Sequence, residues 1–189
     1  MNAIVTAVRE QLCGFYEDSD PAEAQLTFLG ATPMTLLRFG PDSEGVVTYA
    51  SLGCSAEPMA DPNDMTPDFT TGPRAEIIVE MNNGLDEIIR PLAMLAASPS
   101  IEGLVLQEDA LLDFNSPLWA GSRFTGFVLI HADVPDVTAP GGETVTMLQA
   151  VPATANEFAL ARAKGVPELR QTWESHGTVF ADPHRVSVV

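Results

Sequence analysis

The chain has 189 residues, of which 46% are hydrophobic and 19% charged, and its 26 acidic residues face only 9 basic ones for a net charge of −17. This length suits a single domain over 1–189 that buries roughly 70% of the surface its unfolded form exposes. No apolar run approaches the roughly 18 residues of a membrane span, and so acidic a surface repels nucleic acid, which excludes both as expected partners.

The N-terminal MNAIVTAVREQL reaches Arg9 and Glu10 before a signal-like apolar stretch has formed, which predicts a cytoplasmic protein. Ile4, Val8, Leu12 and Phe15 fall three or four apart, so a first amphipathic helix is predicted over 2–16, ended by the acidic EDSDP break. Three strand-like runs follow, QLTFLG, MTLLRFG and GVVTYASLG, with GPDSEG suited to a short hairpin loop between the last two, so the sheet is expected to begin antiparallel. The proline-rich SAEPMADPNDMTPDFTTGPR reads as a long surface loop before the strand RAEIIVEM. LDEIIRPLAMLAAS carries a helical apolar face through Leu85, Ile88, Ile89, Leu92 and Leu95, with Asn82 or Asn83 as cap and a break or second start near Arg90, ahead of Pro91.

Beyond it, IEGLVLQE is expected to form a short strand, and RFTGFVLIH and ETVTMLQAVP two more, joined by the turn segment ADVPDVTAPGG. TANEFALARAKG and VPELRQTWESHG then read as two helices that each end in glycine. The tail TVFADPHRVSVV is expected to be weakly structured or an added edge strand.

The chemistry-bearing residues are few. Cys13 and Cys54 are predicted to be reduced thiols, since two cysteines make no disulfide framework. Cys54 sits at the turn after the TYASLGCS strand, where many enzymes keep a nucleophile, but the G-x-S-x-G elbow is missing, and of the three histidines only His131, at a strand end, is placed to act as its base. A Cys54–His131 thiol hydrolase is therefore the enzymatic alternative, and a half-buried structural thiol the expected outcome. Asp61, Asn63, Asp64 and Asp68 resemble a cation loop in composition, but Met65 and Thr66 stand where a calcium loop needs a donor and a glycine. Glu76 and Glu80 share one face of RAEIIVEM and are expected to meet Arg38 or Arg74 across the sheet rather than act as an acid–base pair. No catalytic, cofactor or metal site is assigned, and no cofactor is expected. The even spread of acidic residues fits either attraction of a basic protein partner or a proteome that keeps its proteins acidic and soluble.

The segments together resemble the suppressor of fused family in its small bacterial form. The resemblance rests on LRFGPDSEGVVTYASLGCS, whose strand enters a T-x-G-x-S-like turn at Ser51 to Ser55 with Ser51 in place of the threonine, and on Pro58 and Met59 after it. It continues through RAEIIVEM, FVLIHADVP and MLQAVPATANEFALARAKGVPEL, the last with a helix carrying Glu157 and ending in Gly165, and so covers about 25–175. The middle helix lacks the Trp-Pro start of the pattern, and the second half found in animal members is missing. The resemblance implies an α+β fold with a mixed, mostly antiparallel sheet and helices packed on it, and a protein-binding domain without chemistry of its own. Bacterial relatives look like immunity proteins that block a toxin by direct binding, so the expected partner is another protein, a basic toxin foremost. A small-ligand-binding domain is the third reading.

Overall fold

A computed structural model describes residues 2–27, 33–60, 65–66 and 70–189. Helix α1 (Ala3–Phe15) is capped by Asn2, whose side chain accepts the Ile4 N–H at 2.9 Å, and it buries Ile4, Val8 and Leu12 as the spacing predicts. Phe15 departs from that prediction. It lies 44% exposed at the helix end, and the next residue, Tyr16, takes the inward place by stacking on Phe39 with ring centroids 4.8 Å apart.

Strands β1 (Ala22–Leu26), β2 (Met34–Phe39), β3 (Val46–Leu52) and β4 (Arg74–Asn82) form an antiparallel run. The first strand begins three residues earlier than the sequence suggests. AEAQL has little β-propensity of its own, and pairing with β2 from Ala22 opposite Arg38 imposes the conformation. In the hairpin between β2 and β3, Asp42 Oδ1 accepts the N–H groups of Glu44 and Val46 at 2.8 and 2.9 Å. Gly40, at φ 92°, must be glycine, because a Cβ there would meet the Val46 carbonyl oxygen at 2.8 Å.

A 3-10 turn over Asp86–Ile88 leads into helix α2 (Ile89–Glu102), so the second start falls where Pro91 requires it, with the proline in the first turn where no intrahelical N–H is needed. Neither Asn82 nor Asn83 caps it; Leu85 precedes the 3-10 turn with no side-chain cap, and Asn83 instead turns at φ 60° and donates to the Gly45 carbonyl. The helix also runs past its expected end, taking Ile101 and Glu102 out of the predicted IEGLVLQE strand, which does not form. Pro99 within it can supply no N–H to the Leu95 carbonyl, and the Ser98 hydroxyl donates there instead at 2.7 Å.

Strands β5 (Leu111–Asp113), β6 (Phe124–His131), β7 (Val137–Thr138) and β8 (Thr144–Thr154) complete the sheet, in the order β1-β2-β3-β4-β8-β6-β5 with β7 also on β8. Among the described residues only β4 and β8 pair in parallel, so the sheet is mixed and mostly antiparallel. The short β7 lies inside the expected turn segment. Helix α3 (Ala155–Lys164) opens on a capping box between Thr154 and Glu157 and is followed by α4 (Val166–Ser175).

Among the described residues four apolar clusters hold the layers together, the smallest being Met34 against Ala96 and Ala97. One face of the sheet packs on α2 through Ile77, Val79, Leu92, Leu95, Phe127 and Leu148. On the other, α1 covers the β2–β4 half through Val8, Leu12, Leu37 and Ile78, and α3 with α4 cover Val128 and Val151 through Phe158, Leu169 and Trp173. The tail is neither loose nor a strand. Arg185, 7% exposed, reaches into the third cluster and donates to both carboxylate oxygens of Glu157 at 2.7 and 3.1 Å and to the Pro152 carbonyl at 2.6 Å.

Candidate functional site

The TYASLGCS stretch ends β3 and turns through Gly53, at φ 121°, into a 3-10 turn over Cys54–Ala56. Gly53 can hold that angle because it lacks a Cβ. Beneath the turn lies Glu76 of β4, with no exposed surface. Its Oε1 accepts the Gly53 N–H at 2.8 Å, the Ser55 N–H at 3.0 Å and the Ser55 hydroxyl at 2.6 Å, while its Oε2 accepts the Ser51 hydroxyl. Ser51 Oγ in turn accepts the Ile77 N–H at 2.8 Å. Among the described residues four neutral donors satisfy the carboxylate, and together they fasten the turn to the sheet.

The arginine pairing expected for Glu76 and Glu80 is not made. Arg74 points its guanidinium at the turn instead, donating to the Ser55 and Ala56 carbonyls at 2.7 and 2.9 Å, and Arg38 lies 3.7 Å from Asp86 and over the Tyr49 ring. Glu80 stands four residues along the strand, about 13 Å away at strand rise. It accepts from Gln149 Nε2 at 3.2 Å, and burial, then the charges of Asp133 and Asp42, push its carboxyl above the usual range. The two glutamates share no hydrogen-bond partner among the described residues and form no acid–base pair.

Nor does the fold assemble Cys54 with His131. His131 pairs with Leu148 of β8, and Leu148 with Ile77 of β4, so it lies three strands away from the end of β3, about 14 Å at the strand spacing. It is exposed, with Nδ1 3.1 Å from the Ala132 carbonyl and Nε2 3.4 Å from Asp136; the Ala132 bond, with lesser help from Asp136, raises its pKa. Cys54 is half-buried, and burial followed by the negative charge of Glu76 pushes its thiol well above the ordinary value, the reverse of what a nucleophile needs. The residues Asp61, Asn63, Asp64 and Asp68 lie outside the described residues.

What the turn does create is a cleft. Between it and the C-terminal end of α2 lies a cavity of about 450 Å³, with Met34, Met59, Ala96 and Ile101 among its apolar lining and the exposed carboxylates of Glu57 and Glu102 at its walls. No lysine, arginine or histidine lines it among the described residues. The segment behind the turn is held by bonds from Met59 N–H to the Pro73 carbonyl at 2.8 Å and from Leu106 N–H to Met59 Sδ at 3.3 Å. α2 ends in left-handed Gly103, whose N–H donates to the Pro99 carbonyl at 3.1 Å, so the negative end of the helix dipole borders the cavity. Sequence reasoning found the turn but not its anchor. The signal was there: a glutamate directly before the apolar Ile77, Ile78 and Val79 of β4, with Ser51 in the strand that pairs with it and Ser55 in the turn four residues on.

Comparison with known proteins agrees on one fold. The family model described as Suppressor of fused protein (SUFU) matches residues 30–186. A crystal structure of a putative SUFU homolog from Neisseria gonorrhoeae FA 1090 superposes with a TM-score of 0.70 at 19% identity, over 97% of this chain and 96% of that one. A chain of the Sufu–Fu complex superposes at 0.74 with 13% identity, over 99% and 93%. Drosophila Suppressor of Fused gives 0.68 at 13% identity over 99% of this chain, which spans 51% of the Drosophila one. No curated protein matches the chain.

Proposed function

The chain belongs to the suppressor of fused family, and we propose that it works as a single-domain, protein-binding immunity factor in the cytoplasm, blocking a basic toxin by direct contact. The observation that carries this reading is the carboxylate-walled cleft at the end of β3, set in a chain of net charge −17. A nuclease toxin must present a basic surface to hold nucleic acid, and opposite potentials steer two such proteins together. A relative of the same fold was crystallised as the Sufu–Fu complex, which supports protein binding as the mode of action here. A thiol hydrolase is disfavoured by the separation of Cys54 from His131 and by the raised thiol pKa. The size of the cleft favours a second reading, a small-ligand-binding domain.

The test is to purify the protein with the product of a neighbouring toxin gene and assay that toxin's activity. The expected result is a stoichiometric complex in which the activity is lost. Co-purification of a small molecule in the cleft, with no protein bound, would replace this reading with the ligand-binding one.

A further inference from the structure

Resting on that reading of a basic protein partner, we propose that the cleft between the 53–60 segment and the end of α2 is a receptor for an arginine side chain of the partner. Its lining has two chemistries that only an amphipathic cation satisfies together. Met34, Met59, Ala96 and Ile101 offer an apolar surface to a side-chain stem, with Met59 fixed by the Leu106 N–H and the Met34 thioether able to adjust to its path. Glu57 and Glu102 come from different elements, the loop after the 3-10 turn and the last residue of α2, so they approach a guest from separate directions. A guanidinium, with five N–H donors in a planar fork, can bond to two such carboxylates at once, where an ammonium acts as a point charge.

Other occupants fit worse. An aliphatic side chain would take the carboxylates and the helix end out of water without a partner, and an anion would face two negative charges and the negative end of the α2 dipole. A smaller cavity of about 280 Å³ at the start of α2 has Arg90 in its wall and offers a cation no such welcome. Arg74, the cation nearest the turn, is committed to the Ser55 and Ala56 carbonyls and is not part of the lining. At about 450 Å³ the cavity also leaves room for backbone on either side of one arginine, and Ile101, half exposed, offers that backbone an apolar contact.

The experiment is an NMR titration of methionine-methyl-labelled protein with the capped peptide Gly-Arg-Gly and with its citrulline counterpart, which keeps the shape and loses the charge. Met34 and Met59 signals should shift saturably with the arginine peptide, while the exposed Met65 and Met94 stay in place. The citrulline peptide should bind at least tenfold more weakly, as should arginine to the Glu57→Gln/Glu102→Gln variant, whose surface substitutions leave the amide spectrum otherwise unchanged. Equal binding of citrulline, undiminished binding by the variant, or shifts spread alike over Met65 and Met94 would each overturn the proposal. Failure of the peptide alongside an intact protein complex removes the arginine site and keeps the partner; peptide binding with no protein partner keeps the site and removes the partner.

Discussion

Glu157 and Glu76 are both fully shut off from solvent, and they are satisfied in opposite ways. Glu157 has a cation. Arg185 grips both its oxygens, Trp173 Nε1 donates to it at 3.0 Å, the Thr154 N–H at 2.8 Å, and the Arg185 guanidinium is sandwiched against Phe124 and Trp173 at 4.9 and 5.7 Å from their ring centroids. Among the described residues Glu76 has only neutral donors, two hydroxyls and two backbone N–H groups from one five-residue stretch. The first arrangement joins β8, α3, α4 and the tail, parts distant in sequence, and seals a core. The second gathers one turn and presents it to an open cleft. A buried charge paired with a charge is costly to break, whereas one held by a turn chiefly fixes the shape of that turn.

The largest expected effect is at the sealed site. Glu157→Ala leaves Arg185 buried without its partner, with its Nε already unbonded among the described residues, and should cost about 3–5 kcal/mol in denaturant unfolding. Burial alone would raise the Glu157 carboxyl, but the bonds and charge of Arg185, with the Thr154 and Trp173 bonds, hold it below the usual range. Its folded pKa thus lies under its unfolded one, so its stabilisation is complete above about pH 4.3 and is lost as pH falls through the depressed value. Glu157→Gln should therefore flatten the acid limb of the stability profile; an unchanged limb would show that the pair adds nothing.

At the cleft the effect is smaller and local. Glu76→Gln replaces one acceptor oxygen by an NH₂ group facing donors, and should cost about 1–3 kcal/mol. Amide exchange at Gly53 and Ser55 should quicken while Trp173 and its surroundings keep their protection. If exchange quickened equally in both regions, the carboxylate would serve the whole core and the contrast would fail. Smallest of all, Cys54→Ala should change stability by less than about 1 kcal/mol and leave the biological activity intact. Loss of activity at unchanged stability would revive the thiol reading.

The sequence displays these two regions unequally. α1 was legible from Ile4, Val8 and Leu12, the hairpin from GPDSEG, and the end of α3 from Lys164 and Gly165, because each is written within a few residues. β1 was misplaced because its partner β2 decides it. α2 was cut short because Ser98 compensates for Pro99 in a way that composition does not show. The tail reads as weakly structured or an edge strand because the role of Arg185 depends on a glutamate 28 residues earlier. At the site, Cys54 drew attention by its chemistry, while Glu76 was expected to meet an arginine, because its bonds to the turn emerge only when β3 is laid beside β4.

The central claim, that the acidic surface draws in a basic protein partner, is tested most directly by the association and dissociation rates of the complex across ionic strength. The Debye length falls from about 10 Å at 0.1 M to about 3 Å at 1 M salt, so long-range attraction is screened while close contacts persist. Association should slow strongly with salt and dissociation should change little. An association rate indifferent to salt would contradict the account and leave the charge of −17 a matter of solubility alone.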